Sequence, residues 1–283
     1  MDLKEVEKVV TQIQRRLFKE ANSYSIGMLK SHFRGSGLQF KEHQVYCHGD
    51  DVRFIDWKLY ARSRTPYVKT FEEERNVEII IFIDLSLSML IGFRKTTKLE
   101  AAINIASLIS LLAKETNDSV QVILLADEEK ILKKSNGKKT IVHLIGELRK
   151  IDIIKDSGRV NIAYRPQKTM ESERKFNIIN RFLRQKKEVV VLSDFSDFWN
   201  RDKLDQLSQN RRAHFFRIIS PIDQLKSFKF STYGLDASKF PSTKGKMIRS
   251  GSRKYHSEMK WPLGIKTIDI ERKYMEDFVR ELV

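Results

Sequence analysis

The sequence has 283 residues, of which 41% are hydrophobic and 32% are charged, so it can form a packed core and is not a wholly disordered chain. Its single cysteine, Cys47, excludes an intrachain disulfide framework and favours a reducing compartment. The net charge of +16 favours an acidic partner such as nucleic acid, an anionic membrane face or an acidic protein, although a lysine-rich proteome is the simpler explanation.

The N-terminal residues give no sign of a signal peptide. Acidic and basic residues are both present through residues 1–20, and no apolar core of a leader is present there. The longest apolar-rich stretch, residues 101–113, is too short to span a bilayer. We therefore expect a cytoplasmic protein without a transmembrane segment.

The first 75 residues form a segment of their own. Apolar residues at helical spacing predict an amphipathic helix over residues 4–21. Residues 22–75 are rich in Gly, His and charge, and residues 48–74 read as a loop, a short element and a strand. Residues 1–75 are therefore predicted to be an N-terminal helix followed by a small extension.

From residue 77 the pattern changes to buried strands that alternate with helices. Thr97 and Glu100 form a capping box at the start of the first helix. The alternation predicts an α/β domain over residues 76–220, with a doubly wound, mostly parallel sheet covered by helices on both faces. The predicted strands are 77–84, 119–126, 129–134, 188–194 and 213–219, and the predicted helices are 98–115, 140–151, 173–186 and 201–210.

The remaining residues, 221–283, are predicted to be a C-terminal extension. They contain a weak hairpin pattern around residues 252–260 and end in a helix over 270–282 that packs on the domain. Strand 213–219 is therefore expected to be the last strand of the sheet.

Two predicted strands end on a carboxylate. Asp84 and Asp194 follow apolar strands, and Ser86 and Ser88 follow Asp84 at alternate positions. Ligands of doubly wound sheets bind beyond the carboxyl ends of the strands, and neighbouring carboxylates repel unless a cation or proton lies between them. An all-oxygen set suits Mg²⁺, whereas the plainer interpretation is a pair of turns with serine caps.

Sequence motifs also point to a known family. The run DLSLSM, residues 84–89, is similar to the metal-ion-dependent adhesion site of von Willebrand factor A-like domains. Together with GDDVRFIDWKLYAR (49–62) and YVKTFEEE (67–74), it resembles the bacterial family called domain of unknown function 58. The resemblance covers most of residues 25–200 and implies a von Willebrand A-like, Rossmann-like fold with a small N-terminal extension.

The resemblance also implies a partner and a metal. Family members are commonly encoded beside MoxR-type AAA+ ATPases, which implies a role as partner or substrate adaptor of such an ATPase. The fold usually places a threonine in the loop before strand 188–194, but Val160 stands there, so Thr169 or Asn161 would have to replace that ligand. Without it the ion would be weakly bound or absent. The implied ion is Mg²⁺, or else Mn²⁺ or Ca²⁺, and its other ligands are Asp84, Ser86, Ser88 and Asp194.

The block at residues 49–62 combines charges of both signs with a tryptophan. Such a set predicts either a buried ion-pair network that fixes a loop or a surface that binds a partner. The residues concerned are Asp50, Asp51, Arg53, Asp56, Trp57 and Arg62.

Three function classes follow from these observations. The leading one is a non-enzymatic protein–protein interaction module, in which a partner carboxylate fills an open position on the metal. The second is a metal-dependent phosphoryl-transfer enzyme that uses Asp84, although Ser86 stands where dehalogenase-like phosphatases carry a second aspartate. The third is a nucleic-acid-binding protein, which rests on the net charge alone.

Overall fold

A computed structural model describes most of the chain. The described residues are 11, 37–74, 77–93, 96–115, 117–166, 168–185, 187–224, 232–234, 246–248 and 261–282. Apart from Thr11, the predicted helix over 4–21 lies outside this range, as does the predicted hairpin around 252–260.

The first described unit is a two-stranded antiparallel sheet. Strand β1 (Gly37–Val45) pairs with β2 (Tyr67–Glu74), and helix α1 (Trp57–Ser63) lies between them in the chain. The Asp56 carboxylate caps α1 by accepting a hydrogen bond from the Leu59 amide at 3.0 Å. The predicted loop, short element and strand are confirmed here, whereas β1 is not foreseen by the sequence because it lacks a clear alternation.

The described residues after 76 form an α/β domain around a six-stranded, mostly parallel sheet. The predicted strands and helices of this part are confirmed, with ends that differ by a few residues. The strands are β3 (Glu78–Asp84), β4 (Gly92–Phe93), β5 (Thr96–Thr97), β6 (Ser119–Leu125), β7 (Glu129–Ile131), β8 (Glu188–Ser193), β9 (Ala213–Ile219), β10 (Thr232–Gly234), β11 (Lys246–Ile248) and β12 (Ile265–Asp269). The helices are α2 (Lys98–Glu115), α3 (Gly137–Lys150), α4 (Ser172–Arg184), α5 (Arg201–Ser208), α6 (Pro221–Gln224) and α7 (Tyr274–Leu282), with short 3₁₀ turns at Val52–Phe54 and Leu87–Leu90.

The order of strands in the sheet is β12-β9-β8-β3-β6-β7, and β7 alone is antiparallel to its neighbour. After β3 the chain builds one side of the sheet through β6, and it later returns to build the other side through β8. The direction of winding therefore changes between β3 and β8, which is the place where doubly wound sheets bind ligands.

Helices cover both faces of this sheet. Along β3, Ile79, Ile81 and Ile83 contribute to the core under α2, α3 and α7, while Ile80 and Phe82 contribute to the core under α4 and α5. A strand buried on both faces carries apolar residues at every position, and β3 does so from Ile79 to Ile83.

The C-terminal region corrects one expectation. The sequence predicts 213–219 as the last strand, but β12 pairs in parallel with β9 and forms the outer edge of the sheet. The predicted final helix is confirmed as α7. The centre of its Phe278 ring lies 4.9 Å from the centre of the Phe216 ring of β9. Residues 265–282 are therefore part of the domain core.

Candidate functional site

The candidate site lies where β3 and β8 end side by side. Asp84, the last residue of β3, is fully buried. Its Oδ2 accepts a hydrogen bond of 2.6 Å from the Ser193 hydroxyl at the end of β8, and its Oδ1 accepts one of 3.2 Å from the Ser86 amide. The parallel pairing of the two strands brings Asp84 level with Ser193, and Asp194 follows directly.

The two serines connect the two aspartates. The Ser86 hydroxyl donates to Oδ2 of Asp84 at 3.2 Å and lies 3.0 Å from the Ser88 hydroxyl. Ser88, in the 3₁₀ turn Leu87–Leu90, lies beside the carboxylate of Asp194 and helps to lower the pKa of that carboxyl. Four of the predicted ligands, Asp84, Ser86, Ser88 and Asp194, are therefore brought together.

A buried lysine from α2 binds the second aspartate. The Lys98 side chain is 0% exposed, and its Nζ lies 2.6 Å from Oδ2 of Asp194 and 3.1 Å from Oδ2 of Asp223. The Ser220 amide and hydroxyl donate to the same oxygen of Asp223, at 2.7 and 2.9 Å. Lys98 thus joins the loop after β8 to helix α6, which follows β9.

A second buried lysine, from α4, binds the first aspartate. The Lys175 side chain is 1% exposed, and its Nζ lies 3.0 Å from Oδ1 of Asp84 and 3.7 Å from Asp197. The same ammonium lies 5.2 Å from the centre of the Phe198 ring. We call the connected set Lys175, Asp84, Ser86, Ser88, Asp194, Lys98 and Asp223 the lysine–aspartate chain.

Mutual neutralisation keeps the Lys98–Asp194 pair charged. Burial alone would lower the pKa of Lys98, but the carboxylates of Asp194 and Asp223 outweigh it and the pKa is raised. Burial alone would raise the pKa of Asp194, but Lys98 outweighs it and the pKa is lowered. For Asp197 burial prevails, and the pKa of that carboxyl is raised.

The described residues do not fit a divalent ion at this position. Mg²⁺ binds oxygens at about 2.0–2.1 Å, but ammonium groups already lie within 3.0 Å of the oxygens of Asp84 and Asp194. Two unit charges 4 Å apart repel by about 4 kcal/mol at an effective dielectric constant of 20, and a divalent ion doubles this. Within the described part of the chain, no group of three or more His, Cys, Asp and Glu side chains has the arrangement of a metal site. The metal therefore stays a prediction, and two lysine ammonium groups lie where the ion would have to bind.

The loop that was expected to supply the threonine lies apart from this set. Thr169 is exposed, and Val160 is buried in the core under α2 and α3. Asn161 is buried, and its side-chain amide donates at 3.0 Å to the backbone oxygen and to the carboxylate of Asp152. Its oxygen accepts from the Ala163 amide, so Asn161 fixes its own loop.

The charged block at 49–62 has a more open structure than a buried network. Asp51 pairs with Arg53 at 2.6 Å in an exposed position, and Trp57 is 66% exposed. Asp56 contacts His43 at 3.0 Å and Lys69 at 3.1 Å, and these contacts lie near the surface. Asp50 accepts from the Cys47 amide within its turn, and Arg62 is exposed on α1.

Lys98 and Lys175 were not predicted as site residues, although the position of each in its helix is unusual for a lysine. Lys98 is the first residue of α2, where the helix dipole disfavours a cation. Lys175 lies three and four residues before Ile178 and Ile179, on the apolar face of α4. A lysine in either position breaks a local rule and indicates a buried anion nearby.

A comparison of folds matches two solved structures to this chain at low similarity. One is BatB from Bacteroides thetaiotaomicron, with a TM-score of 0.43, and the other is an aerotolerance-related membrane protein from Bacteroides fragilis, with a TM-score of 0.44. Each is 15% identical in sequence and corresponds to 73% of this chain; the matches cover 97% and 98% of those chains. In the described part of the present chain, no helix has the length and apolar character that crossing a bilayer requires.

Sequence comparison is more informative about the family. The chain is 33% identical over 78 residues to the uncharacterized proteins Rv1480 of Mycobacterium tuberculosis and Mb1516 of Mycobacterium bovis. That match covers 28% of this chain and about a quarter, 25%, of each of those relatives. The family described as "Protein of unknown function DUF58" matches residues 42–224, which is more than half of the chain and contains the whole lysine–aspartate chain and all of α1. The chain therefore belongs to the DUF58 family.

Proposed function

We propose that this chain is a non-enzymatic protein–protein interaction module that acts as an adaptor or partner of a MoxR-type AAA+ ATPase. Membership of the DUF58 family supports the choice of partner, because genes of that family commonly lie beside a gene for such an ATPase. The proposal places the protein in the cytoplasm, where such an ATPase acts. The exposed free thiol of Cys47 is compatible with the reducing conditions there.

The observation that carries this proposal is the apolar surface of the first described unit. Trp57 and Tyr60 are 66% and 42% exposed, and their rings are in edge contact with centroids 6.1 Å apart. Tryptophan and tyrosine are the residues that most often dominate binding energy at interfaces, whereas an isolated domain gains nothing from exposing them. The exposed apolar residues of this unit, here called the aromatic surface, are Val45, Val52, Phe54, Trp57 and Tyr60.

The edge of the sheet offers a second contact region. Trp199, in the loop between β8 and α5, is 79% exposed, and its amide is held by the Ser172 hydroxyl at 3.0 Å. Ile91, in the loop after β3, is also exposed. The buried lysine–aspartate chain beneath these loops fixes them, so the apolar side chains are presented by a rigid support.

We further infer that the domain is von Willebrand factor A-like. The arrangement that supports this is the run of Asp84, Ser86 and Ser88 after the central strand, with Asp194 beside it. In domains of that type this edge contacts partners. The same arrangement argues against phosphoryl transfer, because Asp84 is fully buried and accepts four hydrogen bonds, which leaves no free oxygen for attack.

A binding measurement with a MoxR-type AAA+ ATPase from the same genome tests the proposal. The purified chain is immobilised, and the ATPase is titrated over it in the presence of ATP. The double variant Trp57→Ala/Tyr60→Ala is expected to raise Kd by about 30-fold or more, because a single hot-spot residue already contributes about 2 kcal/mol or more. The matched control is Leu263→Ala, which removes a fully exposed apolar side chain outside the aromatic surface.

Two outcomes would contradict the proposal. One is an absence of binding by the folded wild-type chain, and the other is equal binding by the wild type and the double variant. Circular dichroism of the double variant checks that it is folded, which the surface position of both rings favours.

A further inference from the structure

The carboxylates and hydroxyls of the lysine–aspartate chain resemble the ligands of an adhesion-type metal site. The positive charge beside them, however, comes from lysine ammonium groups. Asp84 and Asp194 lie at the switch point of the sheet, and Ser86 and Ser88 connect them. Such a set of oxygens requires positive charge, because carboxylates are otherwise too costly to bury. The structure shows where that charge comes from.

We propose that the ammonium groups of Lys98 and Lys175 permanently replace the divalent ion, so that this edge of the sheet assembles without metal. Each lysine binds two carboxylates: Lys98 binds Asp194 and Asp223, and Lys175 binds Asp84 and Asp197. The proposal deepens the proposed function, since it makes the interaction edge metal-independent, but it concerns the isolated chain and is tested without any partner.

Both lysines are an integral part of the fold. Both side chains are buried, one in the first turn of α2 and the other in the first turn of α4, so neither swings out to admit an ion without exposing the core. Lys175 also lies over the Phe198 ring, which packs against Phe176 and Phe195. The ammonium groups are therefore held by packing as well as by charge.

Each oxygen of the Asp84 and Asp194 carboxylates already accepts a hydrogen bond from the protein. Asp84 accepts from Ser86, Lys175 and Ser193, and Asp194 accepts from Lys98 and the Ser196 amide. A metal would have to displace several of these donors, and the displaced donors would then be buried without partners.

The loop that should supply the threonine ligand brings no ligand to the two aspartates. Thr169 is exposed and Asn161 is engaged with Asp152, so neither completes the coordination of an ion in this structure. A site that has two lysines and lacks the threonine differs from a metal site in two separate respects. The two differences are consistent, because a lysine-neutralised edge has no need of that ligand.

The decisive measurement is the thermal stability of the wild-type chain with metal and with chelator. A real site held at about 100 times Kd would raise the melting temperature by about 5–10 °C. We expect Mg²⁺ or Mn²⁺ at millimolar concentration to change the melting temperature by less than about 1 °C relative to EDTA, because no site is free. Isothermal titration with Mn²⁺ is expected to show no saturable heat.

A variant tests whether the lysine occupies the place of the ion. Lys175→Ala removes the ammonium and leaves space beside Asp84 and Asp197. We expect it to melt at a lower temperature than the wild type in EDTA and to regain part of the difference with Mg²⁺ or Mn²⁺. The matched control is Lys130→Ala, which removes a lysine that is about half exposed and pairs with Glu147.

The wild-type result decides the proposal even if Lys175→Ala does not fold. A saturable rise of the wild-type melting temperature with Mg²⁺ or Mn²⁺ overturns it, as does an equal rise in the wild type and Lys175→Ala. A silent wild type with a responsive Lys175→Ala supports it. Loss of binding to the ATPase would leave this result untouched, so the two proposals fail independently.

Discussion

The Nζ of Lys98 lies 2.6 Å from Oδ2 of Asp194, and neither side chain is more than 3% exposed. The two residues are 96 positions apart in the chain, and the contact joins the start of α2 to the loop after β8. A buried ion pair of this kind is a poor source of net stability, but breaking it leaves a buried charge without a partner. The pair therefore fixes the geometry of the sheet edge more than it strengthens the fold.

Substitution of Lys98 should show this directly. Lys98→Met keeps the shape of the side chain but leaves Asp194 and Asp223 without their cation, so we expect a loss of about 3–5 kcal/mol in the free energy of unfolding at neutral pH. Urea unfolding followed by circular dichroism measures the loss.

Arg217→Met is the matched control for a buried cation. Arg217 is 9% exposed, its guanidinium carbon lies 4.0 Å from the centre of the Trp261 ring, and its Nε is buried without a hydrogen-bond partner. Burial lowers the pKa of Arg217 to about 10, because the opposing charges of Asp223 and Asp194 do not make up for the lost water. We expect its free energy of unfolding to stay within about 1 kcal/mol of the wild type. Equal losses in both variants would contradict the role assigned to the Lys98 pair.

The pH dependence of stability follows from Asp194. Burial opposes its ionisation, but Lys98 prevails, and the pKa of Asp194 lies below its ordinary value of 3.8. A carboxyl with a lowered pKa in the folded state contributes stability above that ordinary value and loses it as the pH falls through the folded pKa. We expect urea midpoints to decline below about pH 4 in the wild type. In Lys98→Met the decline should be smaller, because the pKa of Asp194 is no longer held down; an unchanged decline would contradict this assignment.

The C-terminal helix should behave as core. Phe278 is fully buried against Phe216 of β9, so Phe278→Ala is expected to lower the free energy of unfolding by about 3–5 kcal/mol. The exposed Leu263 gives the control, for which Leu263→Ala should change it by less than about 0.5 kcal/mol. A loss of under 1 kcal/mol for Phe278→Ala would mean that this helix is not part of the cooperative core.

The loop between α3 and α4 supplies a test of the two alternative threonine substitutes. Thr169→Ala removes an exposed hydroxyl and should leave stability within about 0.5 kcal/mol of the wild type. Asn161→Ala leaves the Asp152 carboxylate and backbone oxygen without their buried donor, and we expect a loss of about 1–3 kcal/mol. Both values should be the same in EDTA and in Mg²⁺; a loss for Thr169→Ala seen only in Mg²⁺ would restore it as a metal ligand.

Much of the domain was predictable because its pattern is local. The run Ile79–Ile83 is apolar at every position, and the Thr97 hydroxyl that caps α2 accepts from the Glu100 amide at 3.0 Å, as the capping box predicts. The proximity of Asp84 and Asp194 followed from the rule that parallel strands deliver their carboxyl ends to one edge.

The parts that escaped prediction depend on contacts between distant segments. Lysine is treated as a surface residue by composition and periodicity, so the burial of Lys98 and Lys175 appears only when the facing carboxylates are placed. Strand β12 has five residues, two of them polar at its centre, and its identity comes from pairing with β9. Such a short segment carries too little periodicity to separate a strand from a loop.

The position of β12 at the outer edge has a consequence for synthesis on the ribosome. Translation produces β9 before β12, and residues 220–264 must be made before β12 can pair with the outer side of β9. During that interval β9 presents unpaired N–H and C=O groups, and the Phe216 ring lacks the Phe278 side chain that covers it. The nascent chain is therefore most prone to aggregation, and most dependent on chaperones, after β9 has emerged and before β12 has done so.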